Sequence, residues 1–108
     1  MKTYWMMNVN REQQILEKIK EVLNRISGDL VGYRVFLFGS RATGTAKERS
    51  DFDIGILGSR KLPLRIFYKI DDLFDKLETL YSIDLVDMHE VSDSFRRDAL
   101  RKTEVLYG

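Results

Sequence analysis

The 108-residue sequence has no cysteine, one proline, one histidine and no long unbroken apolar run, and neither sign of charge dominates it. Without cysteine there is no disulfide framework, no thiolate nucleophile and no Cys-based zinc site, so any metal must be held by oxygens. A lone His89 cannot build a triad, and its place after an apolar run suits surface or helix-entry packing. The opening MKTYWMMNVN lacks the apolar run of about 7–15 residues that a secretory signal needs, which predicts a cytoplasmic chain. Eighteen Lys+Arg against 17 Asp+Glu give a net charge of +1, which argues against a nucleic-acid-coating role while leaving room for a local basic patch. What is present is 44% hydrophobic and 11% aromatic residues, too apolar for disorder and too interrupted by charge for a membrane span. A chain of this size buries roughly two thirds of its unfolded surface around one core. We therefore expect one soluble domain, residues 1–108, with little surface to spare for elaborate substrate selection and hence room for a second chain.

The apolar pattern sets the order of elements. From Asn10 to Ser27, Ile15, Leu16, Ile19, Val22, Leu23 and Ile26 recur at helical spacing, and Gly28 stands where a helix C-terminal glycine would. Val35-Phe36-Leu37-Phe38, bounded by glycines, predicts a buried strand. Gly39 to Ser50 is small and polar, a turn with a short helix. Asp51 to Leu57 predicts a second strand with acids at its start. Pro63 opens a second amphipathic helix that the spacing carries to about Leu80. Ser82 to Met88 predicts a third strand, and Val91 to Lys102 a last helix with Phe95, Ala99 and Leu100 inward. The tail from Glu104 to Tyr107 suits a short strand or a docking arm. The sum is an α/β fold, a small sheet with helices packed mainly on one face.

The chemistry lies in GSRATGTAKERSDFD, Gly39 to Asp53. A Gly-Ser turn entering a helix offers unpaired N–H groups suited to a phosphate, with Gly39 permitting close approach and the Ser40 hydroxyl able to donate. Asp51 and Asp53, at i and i+2 of a strand, point to one face roughly 7 Å apart and can converge on hard cations such as Mg²⁺. Acids beside or inside apolar strands are costly unless a cation or hydrogen bonds offset them. A third carboxylate should come from the next strand: Asp84 shares a face with Val86 and Met88, Asp87 with Ile83 and Leu85, so only one of the two can join the site. Arg41, Lys47 and Arg49 flank the motif and can clamp phosphates or form a solvated loop. Tyr4, Trp5, Met6 and Met7 form an apolar cluster that either folds onto the core or meets a partner. Arg96, Arg97, Arg101 and Lys102 form a charged helix face.

Gly39-Ser40, ten residues, Asp51-x-Asp53 and a further strand with an Asp together resemble the nucleotidyltransferase superfamily that includes DNA polymerase β. The compactness resembles its minimal nucleotidyltransferase (MNT) branch, found beside HEPN-domain partners. The resemblance runs from the first helix through SIDLVDM to ALRKTEVLY. It implies the polymerase β-like fold, with Gly39, Ser40 and Arg41 at the triphosphate. It also implies Asp51, Asp53 and Asp84 as catalytic residues holding two Mg²⁺ ions, Asp84 being preferred over Asp87 because the family usually places the third acid first in a segment like IDLVD. The implied reaction is attack of an acceptor hydroxyl on the α-phosphate of a nucleoside triphosphate, with pyrophosphate leaving.

Nothing in the sequence resembles an added acceptor-binding domain. The resemblance implies an antitoxin of a HEPN/MNT toxin–antitoxin pair that moves AMP from ATP to a tyrosine of its HEPN toxin partner. A homodimer or heteromer is compatible with it, and neither a membrane nor direct nucleic-acid binding is expected. Two other functions fit the same residues: an antitoxin that neutralises by binding alone, and the catalytic subunit of a two-chain enzyme modifying a small-molecule hydroxyl.

Overall fold

In the computed structural model, which describes residues 2–108 with side chains from Arg11 onward, the first apolar stripe lies on α1 (Lys2–Arg25). Ile15, Leu16, Ile19, Val22 and Leu23 are buried along it. The side chains of Tyr4, Trp5, Met6 and Met7, for which a fold-back or an interface was expected, lie outside the described residues. Gly28 is not a left-handed cap. The helix instead tightens into a 3-10 turn, Ser27–Asp29, in which Asp29 N–H bonds the Ile26 carbonyl at 2.9 Å and Leu30 N–H the Ser27 carbonyl at 3.0 Å. The positive φ falls on Gly32, at 84°, where the chain turns into the sheet.

Four strands follow: β1 (Tyr33–Phe38), β2 (Phe52–Gly58), β3 (Ile83–Asp87) and β4 (Glu104–Tyr107). Their spatial order is β3-β2-β1-β4, with β1 antiparallel to β2 and β4, and β2 parallel to β3. Between them lie α2 (Ser40–Thr43), α3 (Leu64–Asp75) and α4 (Asp93–Ala99). The strand period of two sorts the side chains. Val35, Leu37, Phe52, Ile54 and Ile56 face α1 and α3 and meet Ile66, Ile70 and Phe74 there. Phe36, Phe38 and Met88 face the other way, under Val86, Val91, Ala99 and Leu100. Two helices thus cover one face fully, while the short α4 covers only part of the other and leaves an opening.

Two boundaries differ from the apolar spacing. Helix α3 stops at Asp75, five residues before Leu80, which is fully exposed. Leu77 still packs on the core, and the chain must then reverse so that β3 can run parallel to β2. Phe95 is not inward: it is 45% exposed, with its ring edge-on to Phe38 at 6.1 Å, because α4 has only seven residues and lies over the rim of the sheet. No helix among the described residues is long and apolar enough to cross a membrane.

Candidate active site

Strand register brings the motif residues together. Phe38 pairs with Asp53, and Asp53 pairs with Asp84, so the end of β1 and the acids of β2 and β3 stand side by side across the sheet. Asp53 and Asp84 lie on the face that α4 leaves open, the face of Phe36 and Val86. Asp87 lies on the other, and its buried carboxylate accepts 2.9 Å hydrogen bonds from the N–H groups of Leu62 and His89. His89 packs as expected, its Nε2 2.7 Å from the Gly58 carbonyl.

Gly39 links β1 to α2 with φ 74° and ψ −156°, a region open essentially to glycine alone. A side chain there would also collide with Asp53 Oδ2. Both requirements come from one event, the chain turning sharply over the acid. In the single turn of α2, the N–H groups of Ala42 and Thr43 bond the Gly39 carbonyl at 3.0 and 3.1 Å. The N–H groups of Ser40 and Arg41 precede the first intrahelical bond, and Thr43 lines the same hollow.

Arg41 faces away from this opening. Its Nη1 donates to Glu12 Oε2 at 2.8 Å, Nε and Nη2 donate to the Ser50 carbonyl at 3.0 and 2.7 Å, and Nη2 also reaches the Glu48 carbonyl at 3.1 Å. The guanidinium stacks on the rings of Phe52 and Tyr81, at 4.2 and 4.9 Å from their centroids, and its side chain is 6% exposed. The Arg41 side chain, for which a phosphate contact was expected, makes a structural contact here. The planar fork ties α1 to the loop that delivers Asp51, a task that bidentate, stacking Arg suits and Lys does not. Lys47 lies on that loop, and Arg49 faces a separate hollow with Arg11 and Asp51.

Electrostatics mark the acids as crowded. Burial pushes the Asp53 carboxyl above its ordinary value, and the charges of Asp84 and Asp51 push it further. Asp84 is raised by burial, by the charge of Asp51, by a carboxyl–carboxyl hydrogen bond to Asp51, and by Asp71. Among the described residues no three His, Asp or Glu side chains already converge as a formed cation site. The donor set nonetheless fits a hard cation: Asp51, Asp53 and Asp84 are near enough to raise one another's carboxyls, a crowding of like charge that a divalent ion would offset.

Asp53 and Asp84 open into a cavity of about 820 Å³, whereas Asp51, just before β2, borders the hollow of Arg49. The cavity walls include three residues that the motif did not point to: Asp71 from α3, and Arg101 and Lys102 beyond α4. Asp71 follows buried Ile70, so its place at the border of the apolar stripe was readable, but its approach to β3 was not. A single-turn helix after a β-strand, acids on the next two strands and an adjoining open cavity form the arrangement that the motif led us to expect of a nucleotidyltransferase.

Residues 17–108 match the family described as polymerase beta, nucleotidyltransferase, and the chain belongs to it. Its four-stranded mixed sheet is the polymerase β-like fold expected from the motif. The chain is 31% identical over 88 residues to the probable protein adenylyltransferase MntA of Haemophilus influenzae, spanning 82% of this chain and 74% of that protein. A crystal structure of a toxin–antitoxin with AMP-PNP superposes with a TM-score of 0.63 at 25% identity, over 86% of this chain and 73% of its own. The tri-AMPylated Shewanella oneidensis HEPN toxin in complex with its MNT antitoxin gives 0.60 at 22% identity, over 89% and 71%, a likeness of fold.

Proposed function

We propose that residues 1–108 act as one nucleotidyltransferase domain that transfers AMP from ATP to a tyrosine hydroxyl of a HEPN toxin, as the antitoxin of a toxin–antitoxin pair in the cytoplasm. The observation that carries this reading is the alignment of Gly39, Asp53 and Asp84 across three adjacent strand ends beside one cavity, in a chain related to a named protein adenylyltransferase. The AMP-PNP of the structural neighbour supports ATP as donor.

Each residue then has a task. The N–H groups of Ser40 and Arg41 and the Ser40 hydroxyl hold triphosphate oxygens, with Gly39 allowing the approach. Asp84 accepts the proton of the attacking hydroxyl. The tyrosine oxygen forms a bond to the α-phosphorus, the bond from that phosphorus to the β-phosphate oxygen breaks, and pyrophosphate leaves with the electron pair. Asp51, Asp53 and Asp84 would hold two Mg²⁺ ions, whose chemistry is to neutralise phosphate charge and raise the acidity of the acceptor.

The test is the intact mass of a HEPN toxin after incubation with the chain, ATP and Mg²⁺, with Asp51→Asn/Asp53→Asn as control. AMP increments that the control lacks support the reading. A stable complex formed equally by the control, with no increment, replaces it by neutralisation through binding.

A further inference from the structure

We propose that the outer edge of β3 is the docking strand for the acceptor: an extended segment of the partner protein pairs with it and presents its hydroxyl to Asp84. The proposal rests on the transfer reading above and adds where the acceptor binds and in what conformation.

In-line displacement requires the entering oxygen to lie opposite the leaving one. The order β1, β2, β3 places the Gly39–Ser40 turn at one end of the row of groups and Asp84 at the other. With pyrophosphate leaving on the Gly39 side, the acceptor must arrive over β3.

That strand is the edge of the sheet. The Ser82 carbonyl accepts from Phe52 N–H and Met88 N–H donates to the Ile56 carbonyl, both at 2.9 Å, so the even-numbered residues bond β2. By alternation, the N–H and C=O groups of Ile83 and Leu85 point outward. The Asp87 carbonyl is already taken by Glu90 N–H at 2.9 Å, which limits the free edge to those two residues. An edge of this kind is a template for an added strand.

The cavity wraps this edge: Asp84 and Val86 reach it from one sheet face, Ile83 and Leu85 from the other. A second hollow of about 290 Å³ continues it past Leu85 and Val86 to Tyr68. Tyr68 is 62% exposed there and offers apolar contact to a side chain of the incoming strand. Charge selects polypeptide over RNA. The cavity sets four carboxylates, Asp53, Asp71, Asp84 and Asp98, against the cations Arg101 and Lys102, and Lys61 at the far end of the groove is paired with Glu90.

The experiment compares the wild-type chain with Leu85→Pro and Tyr68→Glu, using as probes ATP with Mg²⁺ and the HEPN toxin that the transfer test uses. Leu85→Pro removes an outward N–H without touching the ladder to β2, a place where an edge strand tolerates proline. Both variants should bind ATP as wild type does, while AMP transfer at subsaturating partner falls about tenfold or more through a raised KM for the partner. Transfer by both variants at the wild-type rate and KM overturns the docking strand and leaves the transfer reading standing. A wild-type chain that binds ATP but places no AMP on the partner overturns both. Should Leu85→Pro fail to fold, amide hydrogen exchange on the wild-type chain decides: slowing at the outward N–H groups of Ile83 and Leu85 on adding the partner supports strand pairing, and unchanged exchange there overturns it. Slowing with single-stranded oligoadenylate but not with the protein overturns it in favour of an RNA acceptor.

Discussion

Replacing Arg41 separates two roles that one residue in this position can have. Arg41→Ala would leave Glu12 without its partner and free the Ser50 and Glu48 carbonyls from a guanidinium whose side chain as a whole is 6% exposed. Removing one member of a buried pair costs about 3–5 kcal/mol. Glu12 is itself 33% exposed and can turn to water, so the lower end, about 3 kcal/mol, is the appropriate figure. At about 2.1 cal/mol/K per residue, 108 residues unfold with an entropy near 0.23 kcal/mol/K, which converts this loss into a fall in Tm of about 13 °C. Arg41→Lys keeps a charge for Glu12 but loses the fork and the stacking on Phe52 and Tyr81, and should fall about half as far. Differential scanning calorimetry supplies the Tm, and isothermal titration with ATP and Mg²⁺ supplies the affinity. An Arg41→Ala protein that melts within about 3 °C of wild type refutes the structural role. If that protein has also lost most of its triphosphate affinity, Arg41 is a phosphate ligand after all.

The two third-strand acids should respond in opposite ways. Asp87→Asn places an amide N–H₂ against one of two backbone donors and should cost about 2 kcal/mol, a fall of about 9 °C in Tm, whereas Asp84→Asn should leave Tm unchanged or higher and abolish AMP transfer. The reverse pattern would exchange their assignments. Gly39→Ala should lose at least about 2 kcal/mol to backbone strain alone and stop transfer through the clash with Asp53; a variant with wild-type Tm and turnover would show that the turn is not constrained. Because the Asp53 and Asp84 carboxyls titrate above 3.8 when folded, the folded chain holds their protons more tightly than the unfolded one. Their contribution is favourable at low pH and is lost as pH rises from 3.8 through the raised folded values. The Tm of metal-free wild type minus that of Asp53→Asn should therefore fall across that window, and Mg²⁺ at pH 7 should reverse the fall. A flat difference, or one that Mg²⁺ deepens, would mean that the acids are not crowded.

The faces of the strands were legible before any coordinates, because a period of two needs only local order. Alternation separates Asp84 from Asp87, and the apolar neighbours carry the same sorting: Val86 and Met88 on one side, Ile83 and Leu85 on the other. Alternation alone cannot say which side of β3 meets Asp53. That depends on the Asp53–Asp84 register of a parallel ladder between segments about thirty residues apart, a long-range pairing with no local signature. The same limit explains Arg41. Its nearness in sequence to Gly39-Ser40 suggested a phosphate, but its partners are Glu12 on α1 and Tyr81 before β3, which only the assembled fold brings within reach. Leu80 and Phe95 show the complementary error. Apolar spacing records which residues could face a core, and it continues to count them after the helix has ended or run out over the rim of the sheet.

These errors share a cause with the site itself. Four strands and one short helix cannot close both faces of the sheet, and the face left open is the one where Asp53 and Asp84 would otherwise be buried as uncompensated charges. A longer α4 with Phe95 turned inward would improve the core and seal the cavity. The half-exposed Phe95 and the crowded carboxyls are thus two consequences of one opening, and a substitution that extends α4 toward Lys102 should raise Tm and lower AMP transfer together. A gain in both would show that the opening serves neither ATP nor the acceptor.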